Sequence, residues 1–413
     1  MSSERLAVRH FGRAVGTITR TSSGALSFEY ADSWLETGGG FALAASLPLR
    51  PGVRETAFFR NLLPEAGARE RIAKSAGISP ENDFAFLRIF GADCAGSLEI
   101  TDPDERPRAS APSDILLLTG EDGANLATKS GFASLFRPGR RVRLSLAGAQ
   151  NKLAVIRTDD GLAVPLDGRP STHILKLPNP DYKGLVENEA LMLSVARAIG
   201  LPVVEHDVVT VGKSKMLLIA RYDREVKNGK VIRLHQQDLC QATGLPPDTK
   251  YESEGGPSIE TVFDVVRDEV ADPLTAATAM LDWIVFNVLV HNADAHAKNV
   301  SILRAGDGRQ ELAPFYDLVC TGAYPFDHRM AMSVGGQFDP GAITKENWMQ
   351  LASDIGIGKS LVLRTVREMA HRIPAYLDQE LAVLHDRLGA VPRRQQIERV
   401  VKRRVRKTLR LWA

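Results

Sequence analysis

The chain has 413 residues, too many for one comfortable hydrophobic core, so two or three domains are expected. Hydrophobic residues make up 44% and charged residues 25%, an ordinary soluble composition, and a net charge of +2 marks neither a general nucleic-acid binder nor a membrane protein. Cys94, Cys240 and Cys320 are widely spaced without a CxxC pair, the start Met1–Arg5 lacks a signal-peptide core, and Asp282 and Asn287 break the apolar run near Trp283; these features predict reduced thiols, no membrane span and a cytoplasmic location.

From Leu6 to Ile100 the pattern predicts a small α+β module. Val8–His10, Ala14–Thr19 and Leu26–Tyr30 read as strands, with a turn at Ser22-Ser23-Gly24, and two helical segments follow. Thr101 to Pro112 is rich in proline and charge, as linkers are, and marks a boundary. The expected domains are 1–105, a linker 106–140, a β-rich lobe 141–225 and a mostly helical lobe 226–413.

Next come a strand Arg141–Leu146, a loop Ala147-Gly148-Ala149-Gln150-Asn151-Lys152 and a strand Leu153–Arg157. Two readings of the loop stand: a plain hairpin turn, or a cover whose backbone N–H groups and Lys152 meet phosphate oxygens. Lys176 sits inside the apolar strand His173–Leu177, where a charge needs a partner or a ligand. The helix Leu185–Ile199, stopped by Gly200, carries Glu189 within the stripe Leu185, Met192, Ala196, Ile199. Lys176 with Glu189 is the ion pair by which kinases set a nucleotide; the other reading has Lys176 snorkelling to solvent. Met216–Ala220 is an apolar strand with a polar exit at Arg221-Tyr222-Asp223-Arg224, suited to a hinge where Ala220 to Tyr222 read adenine through the backbone.

The most telling stretch is His291-Asn292-Ala293-Asp294-Ala295-His296-Ala297-Lys298-Asn299, with Asp317 eighteen residues further on. A buried helix over Ala279–Val290 would deliver Asp294 rigidly. A transferring phosphoryl group spreads negative charge, so the protein supplies a metal clamp and a positioned base. Asn299 and Asp317 offer the hard oxygens that Mg²⁺ takes, and Asp294 is left as the base. Each carboxylate alone would be read as a helix cap or turn residue; the spaced set points to phosphoryl transfer from ATP.

Val391 to Ala413 holds nine basic residues against one acid, so the first 390 residues carry a net −6. Ile397, Val400, Val401, Val405 and Leu409 interleave with them, which predicts an amphipathic helix with a cationic outer face. Its face is either simply solvated or in contact with DNA or tRNA.

Taken together, Ser145–Lys152, His173–Pro178, Ala220–Arg224, Lys250-Tyr251-Glu252 with Gly255-Gly256-Pro257, Asp294–Asn299 and Pro314–Asp317 resemble the HipA family of bacterial toxin kinases, over about Val8 to the 370s. The resemblance implies a small N-terminal module followed by a protein-kinase-like bilobal α+β fold. It also implies a serine/threonine protein kinase, the toxin of a type II toxin–antitoxin pair, bound by a HipB-like helix-turn-helix antitoxin through which it meets operator DNA. On the family pattern Asp294 is the catalytic base, Asn299 and Asp317 hold Mg²⁺, Ala147, Gly148, Ala149, Gln150, Asn151 and Lys152 cover ATP, and Lys176 meets the phosphates. Ala220, Arg221 and Tyr222 are then the hinge, His296 and Tyr316 lie beside the nucleotide, and Ser145 takes the place of an inhibitory autophosphorylation site. Asn151 stands where an acid is often found, Ala295 where Gly is frequent and Tyr222 where Phe is familiar. The family's targets include aminoacyl-tRNA synthetases such as glutamyl-tRNA synthetase. Two alternatives stay open, a catalytically silent co-repressor and a kinase of a small molecule.

Overall fold

The computed structural model describes residues 4–412 apart from Ser23, Thr37, 106–114, 167–168 and most of 120–149, within which Gly123, Asn125, Leu126, Thr128, Phe132, Leu135 and Val142 are described. Ser145, Ala147, Gly148 and Ala149, and all but Val142 of the expected strand Arg141–Leu146, lie outside the described residues. The chain forms two compact units. One is Met1–Pro178 with Val209–Pro247 and Leu303–Gly308; the other is Asn179–Val208 with Asp248–Ile302 and Arg309–Ala413.

In the first unit, β1 (Glu4–His10), β2 (Arg13–Arg20), β3 (Leu26–Tyr30) and β4 (Leu98–Thr101) make an antiparallel sheet in the order β3-β2-β1-β4. Alternation puts Leu6, Val8, Ile18 and Phe28 into the core, and Val15 joins them at the register shift opposite Val8 and Arg9. Gly16 is required there, because a Cβ would lie 2.5 Å from the Phe28 ring. Four helices, α1 (Asp32–Glu36), α2 (Ala57–Arg60), α3 (Ala66–Ala76) and α4 (Asp83–Phe90), connect β3 to β4, where the sequence suggested two. Asn82 caps α4 by accepting from the Ala85 amide, and Phe84, Phe86, Leu87 and Phe90 fill the space beneath it.

The second sheet runs β5-β7-β6-β8-β10-β9, from β5 (Ile115–Leu117), β6 (Lys152–Thr158), β7 (Gly161–Pro165), β8 (His173–Lys176), β9 (His206–Val211) and β10 (Ser214–Ala220). A hairpin of β11 (Arg224–Lys227) and β12 (Lys230–Arg233) follows, its two-residue turn made by Asn228 and Gly229, both at positive φ.

Between β10 and the hairpin, the polar exit turns inward. Arg221 donates to both carboxylate oxygens of Asp223 (2.9 and 2.7 Å), to Ser171 Oγ (2.8 Å) and to the Cys94 carbonyl (2.9 Å). Arg224 bridges Asp93 and Asp223 (2.8 Å each), and Arg233 lies 3.5 Å from Asp93 while donating to Glu99. Ser171 closes the ring through its amide and hydroxyl on Asp93 Oδ2. Three guanidiniums therefore face three carboxylates, and Asp93 is fully buried. Burial alone would raise the two aspartates; the surrounding arginines outweigh it and hold both below the ordinary range.

The second unit is helical: α5 (Leu185–Ile199), α6 (Ile259–Glu269), α7 (Pro273–Val290), α8 (Lys345–Asp354), α9 (Lys359–Leu388) and α10 (Arg394–Leu409). The long α9 packs against α5, α7, α8 and α10. α5 is buried over most of its circumference rather than along one stripe, while Leu185 itself is only half-buried. α7 is long and apolar enough to cross a membrane by composition, yet most of it is buried within the protein, as in a core helix. All three cysteines are buried outside any disulfide, and burial pushes the Cys94 and Cys320 thiols up to about 12.

Replacing Asp93 by Asn leaves Arg224 and Arg233 short of a counter-charge in the interior. The expected cost is about 3–5 kcal/mol, read as a lower urea midpoint. Because both aspartates are depressed, their contribution is complete above the unfolded value near 3.8 and is lost as pH falls below it.

Candidate catalytic site

α7 ends at His291 in the left-handed conformation (φ 56°), and the Asn292 amide closes the helix on the Asn287 carbonyl (2.8 Å). The chain then loops outward, so the Asp294 carboxylate is half exposed (53%) amid buried neighbours. Tyr251 donates its phenol to Asp294 Oδ1 at 2.7 Å, and His296 Nε2 lies 3.7 Å from the same oxygen. Asn299 donates its amide nitrogen to the Asp294 carbonyl (2.9 Å), which leaves its Oδ1 as the group to offer a ligand. The Tyr316 hydroxyl donates to the Lys298 carbonyl (2.8 Å) and meets Ser301 Oγ (2.7 Å).

Asp317 is half-buried and also sits at positive φ (54°), a strained state for a non-glycine residue that surrounding bonds must enforce. Asn292 supplies one, donating to the Asp317 carbonyl (3.2 Å) as well as to Asn287 Oδ1 (2.8 Å). Four residues on, Thr321 binds the Asp294 loop: its hydroxyl donates to the His291 carbonyl (2.9 Å) and accepts from the Ala293 amide (2.7 Å). The Gly322 amide joins the same carbonyl (3.1 Å). A loop bearing Asp294 and a segment bearing Asp317 are thus sewn together within one unit.

From α10, Arg404 faces inward and lies 3.5 Å from His291 Nδ1. A guanidinium only donates, so Nδ1 accepts, the ring proton is on Nε2, and Nε2 donates to the His328 carbonyl (3.2 Å). Burial first, and then Arg404, hold this imidazole down to about 4, so it is neutral at pH 7. The cationic outer face of α10 is present in Arg394, Arg399, Arg403, Arg406, Lys407 and Arg410, but Arg404 is not part of it.

The first unit carries the other candidates. Lys152 and Lys176 are register partners on β6 and β8, so two ammonium groups share one face, a pairing that favours an anion between them. Lys176 is buried. Asn151 Oδ1 accepts from Arg71 Nη2 of α3 (2.7 Å), so an arginine answers the position where an acid was expected; Gln150 is half-buried. Arg221 has its amide committed to the Thr172 carbonyl (3.0 Å) and its guanidinium to the interior network; Ala220 ends β10, and Tyr222 donates to Gln236 Oε1. Glu189 belongs to the second unit, buried on α5, beside Asn188, which pairs with both backbone groups of Cys320.

Among the described residues no three His, Cys, Asp or Glu side chains cluster as a metal site. The donors present, an amide oxygen on Asn299 and a carboxylate on Asp317, are of the hard kind that suits Mg²⁺, which also takes phosphate oxygens and water. Sequence reasoning missed Tyr251, Asn292, Thr321 and Arg404 as site residues. Tyr251 and Asn292 stand within stretches already singled out but were given no role there, and helical spacing from Ile397 and Val401 puts position 404 on the inner face.

An exposed carboxylate on a pinned loop, an oriented Asn five residues on and a second Asp tied to the same loop are the parts of a protein-kinase type of phosphotransferase. Residues 6–101 match the HipA N-terminal domain and residues 144–377 the HipA-like C-terminal domain. The chain belongs to the HipA family of serine/threonine-protein kinase toxins, and it is a kinase. It is 39% identical over 367 residues to the putative kinase Y4mE of Sinorhizobium fredii, covering 87% of each chain. To the serine/threonine-protein kinase toxin HipA of Shewanella oneidensis it is 29% identical over 374 residues, covering 86% of this chain and 84% of that one. A chain in the solved complex of Shewanella oneidensis HipA, HipB and operator DNA matches with a TM-score of 0.79 and 26% identity, over 98% of this chain and 99% of that one.

A Cβ at Gly322 would lie 2.6 Å from His291 Nδ1, on a ring held by Arg404 and His328. Gly322→Ala is therefore expected to lower stability by about 1–3 kcal/mol in urea denaturation and to reduce phosphotransfer by displacing the loop.

Proposed function

We propose that the chain phosphorylates serine or threonine hydroxyls of a protein, using ATP and Mg²⁺, and acts in the cytoplasm as the toxin of a HipBA-like pair. The observation that carries this is the Asp294 carboxylate, open to solvent on a loop whose backbone is fixed through Asn292, Ala293 and Asn299. Asp294 accepts the acceptor hydroxyl's proton. Asn299 and Asp317 would hold Mg²⁺, which neutralises phosphate charge when bound. Lys176 and Lys152 meet the phosphates, and the loop Ala147 to Lys152 covers them. Ala220 to Tyr222 border the adenine, and His296 and Tyr316 flank the nucleotide. The Shewanella oneidensis complex supports a HipB-like antitoxin as partner, with DNA reached mainly through it. An aminoacyl-tRNA synthetase, glutamyl-tRNA synthetase first among them, is the proposed substrate.

Labelled ATP with a cell lysate tests the reading by showing which proteins acquire phosphate. Asp294→Ala is expected to reduce transfer on the order of 10²–10⁴-fold, the range for loss of a general base, and Asp317→Ala to abolish it. Label transfer by Asp294→Ala at the wild-type rate would contradict the assignment.

Ser145 is expected to gain phosphate after incubation with ATP and Mg²⁺. Roughly two added negative charges beside the loop Ala147 to Lys152 would repel ATP, so the modified protein should be inactive. Mass spectrometry of protein inactivated by autophosphorylation checks this, and Ser145 found unmodified there counts against it.

A further inference from the structure

Asp294 presents its two oxygens to different surroundings. Oδ1 receives the Tyr251 phenol at 2.7 Å and faces His296 Nε2 at 3.7 Å. Oδ2 takes no hydrogen bond among the described residues, although the carboxylate is half exposed. The Tyr251 ring is itself held: it meets the His296 ring edge-on (5.7 Å, 78°), and the Lys250 ammonium lies 5.6 Å from its centroid.

The loop that carries Tyr251 is built to keep it there. Gly255 adopts φ 92°, and the Gly256 amide folds back on the Tyr251 carbonyl (2.8 Å); a Cβ at Gly256 would lie 2.5 Å from the Thr249 carbonyl. Next to Tyr251, the Glu252 amide donates to the Ala331 carbonyl (2.9 Å), and its carboxylate accepts from the Ser333 amide (2.5 Å) and hydroxyl (2.9 Å). The Ala331 amide in turn donates to the Ala293 carbonyl (2.9 Å), one residue before Asp294. Tyr251 is thus joined to the base by its phenol and, independently, through Glu252 and Ala331.

We propose that Tyr251 is the positioning residue of the base, and that its loop with Ala331–Ser333 forms the acceptor-side wall of the site. Resting on the kinase reading of Asp294, the assignment gives the two carboxylate oxygens separate tasks. Oδ1 is anchored by a donor that keeps its proton, and Oδ2 is turned to the incoming hydroxyl. As the acceptor oxygen bonds to the γ-phosphorus, its proton passes to Oδ2. The bond from that phosphorus to the β,γ-bridging oxygen breaks, and ADP leaves with the electron pair.

The test compares the full-length protein with Tyr251→Phe, Gly256→Ala and Asp294→Ala, using labelled ATP and clarified lysate as the acceptor pool. Tyr251→Phe keeps the ring and loses only the hydroxyl. Turnover at saturating ATP should fall about tenfold, with the KM for ATP and the thermal midpoint unchanged. Gly256→Ala, which shifts the loop but keeps the hydroxyl, should likewise lower turnover without changing the KM for ATP, together with a lower thermal midpoint. Tyr251→Phe turnover within about twofold of wild type, with Asp294→Ala at background, overturns the role of Tyr251 alone. A change confined to the KM for ATP overturns it as well, by placing Tyr251 on the nucleotide side. Full activity in Asp294→Ala removes the kinase reading beneath it.

Discussion

The carbonyl of His291 receives two hydrogen bonds, from Thr321 Oγ1 and the Gly322 amide, and the placement of both acidic residues follows from that junction. α7 must stop there, and the left-handed turn at His291 sends the chain out as the loop bearing Asp294. Thr321 returns the constraint by accepting from Ala293, and Asn292 reaches across to the Asp317 carbonyl. Two carboxylates from separate stretches of sequence are held by backbone groups of the same few residues. Positive φ at His291 and at Asp317 is the conformational cost, offset by these bonds.

The first unit solves a different problem. Its two sheets share a buried ring of charges, with Asp93 from the turn after α4 placed among Arg221, Arg224 and Arg233 from the region that follows β10. Such a ring adds little net stability over an apolar core, but any other registration strands a charge. It ties the N-terminal four-stranded sheet to the segment that follows β10 within one compact unit.

Much of this was legible in the sequence. The strands of the first sheet, α5, α7 and the Asp294–Asn299 loop are local, set by alternation, helical spacing and caps, and the Asp294, Asn299 and Asp317 spacing named the chemistry. What stayed hidden depends on partners far away. The polar run Arg221 to Arg224 reads as the polar exit of a strand, suited to a hinge, and its buried ion pairs show only when Asp93 and Ser171 are brought to it. Tyr251 stands in one of the motifs of the resemblance, but its role emerges only when its phenol meets a carboxylate 43 positions on. Periodicity gave the inner face of α10, yet a charge pattern dominated by arginine masked the one that turns inward. Neither helical spacing nor composition carries the pairing of residues across such separations.

Arg404 lies 113 positions after the His291 ring it braces. Translation adds about 5–20 residues per second, so a growing chain carries Asp294 for roughly 5–20 s before Arg404 exists to fix that ring. During that interval the imidazole lacks its donor at Nδ1, and the helix end from which the loop departs is unbraced. The order of synthesis therefore delays the assembled loop until α10 has been made.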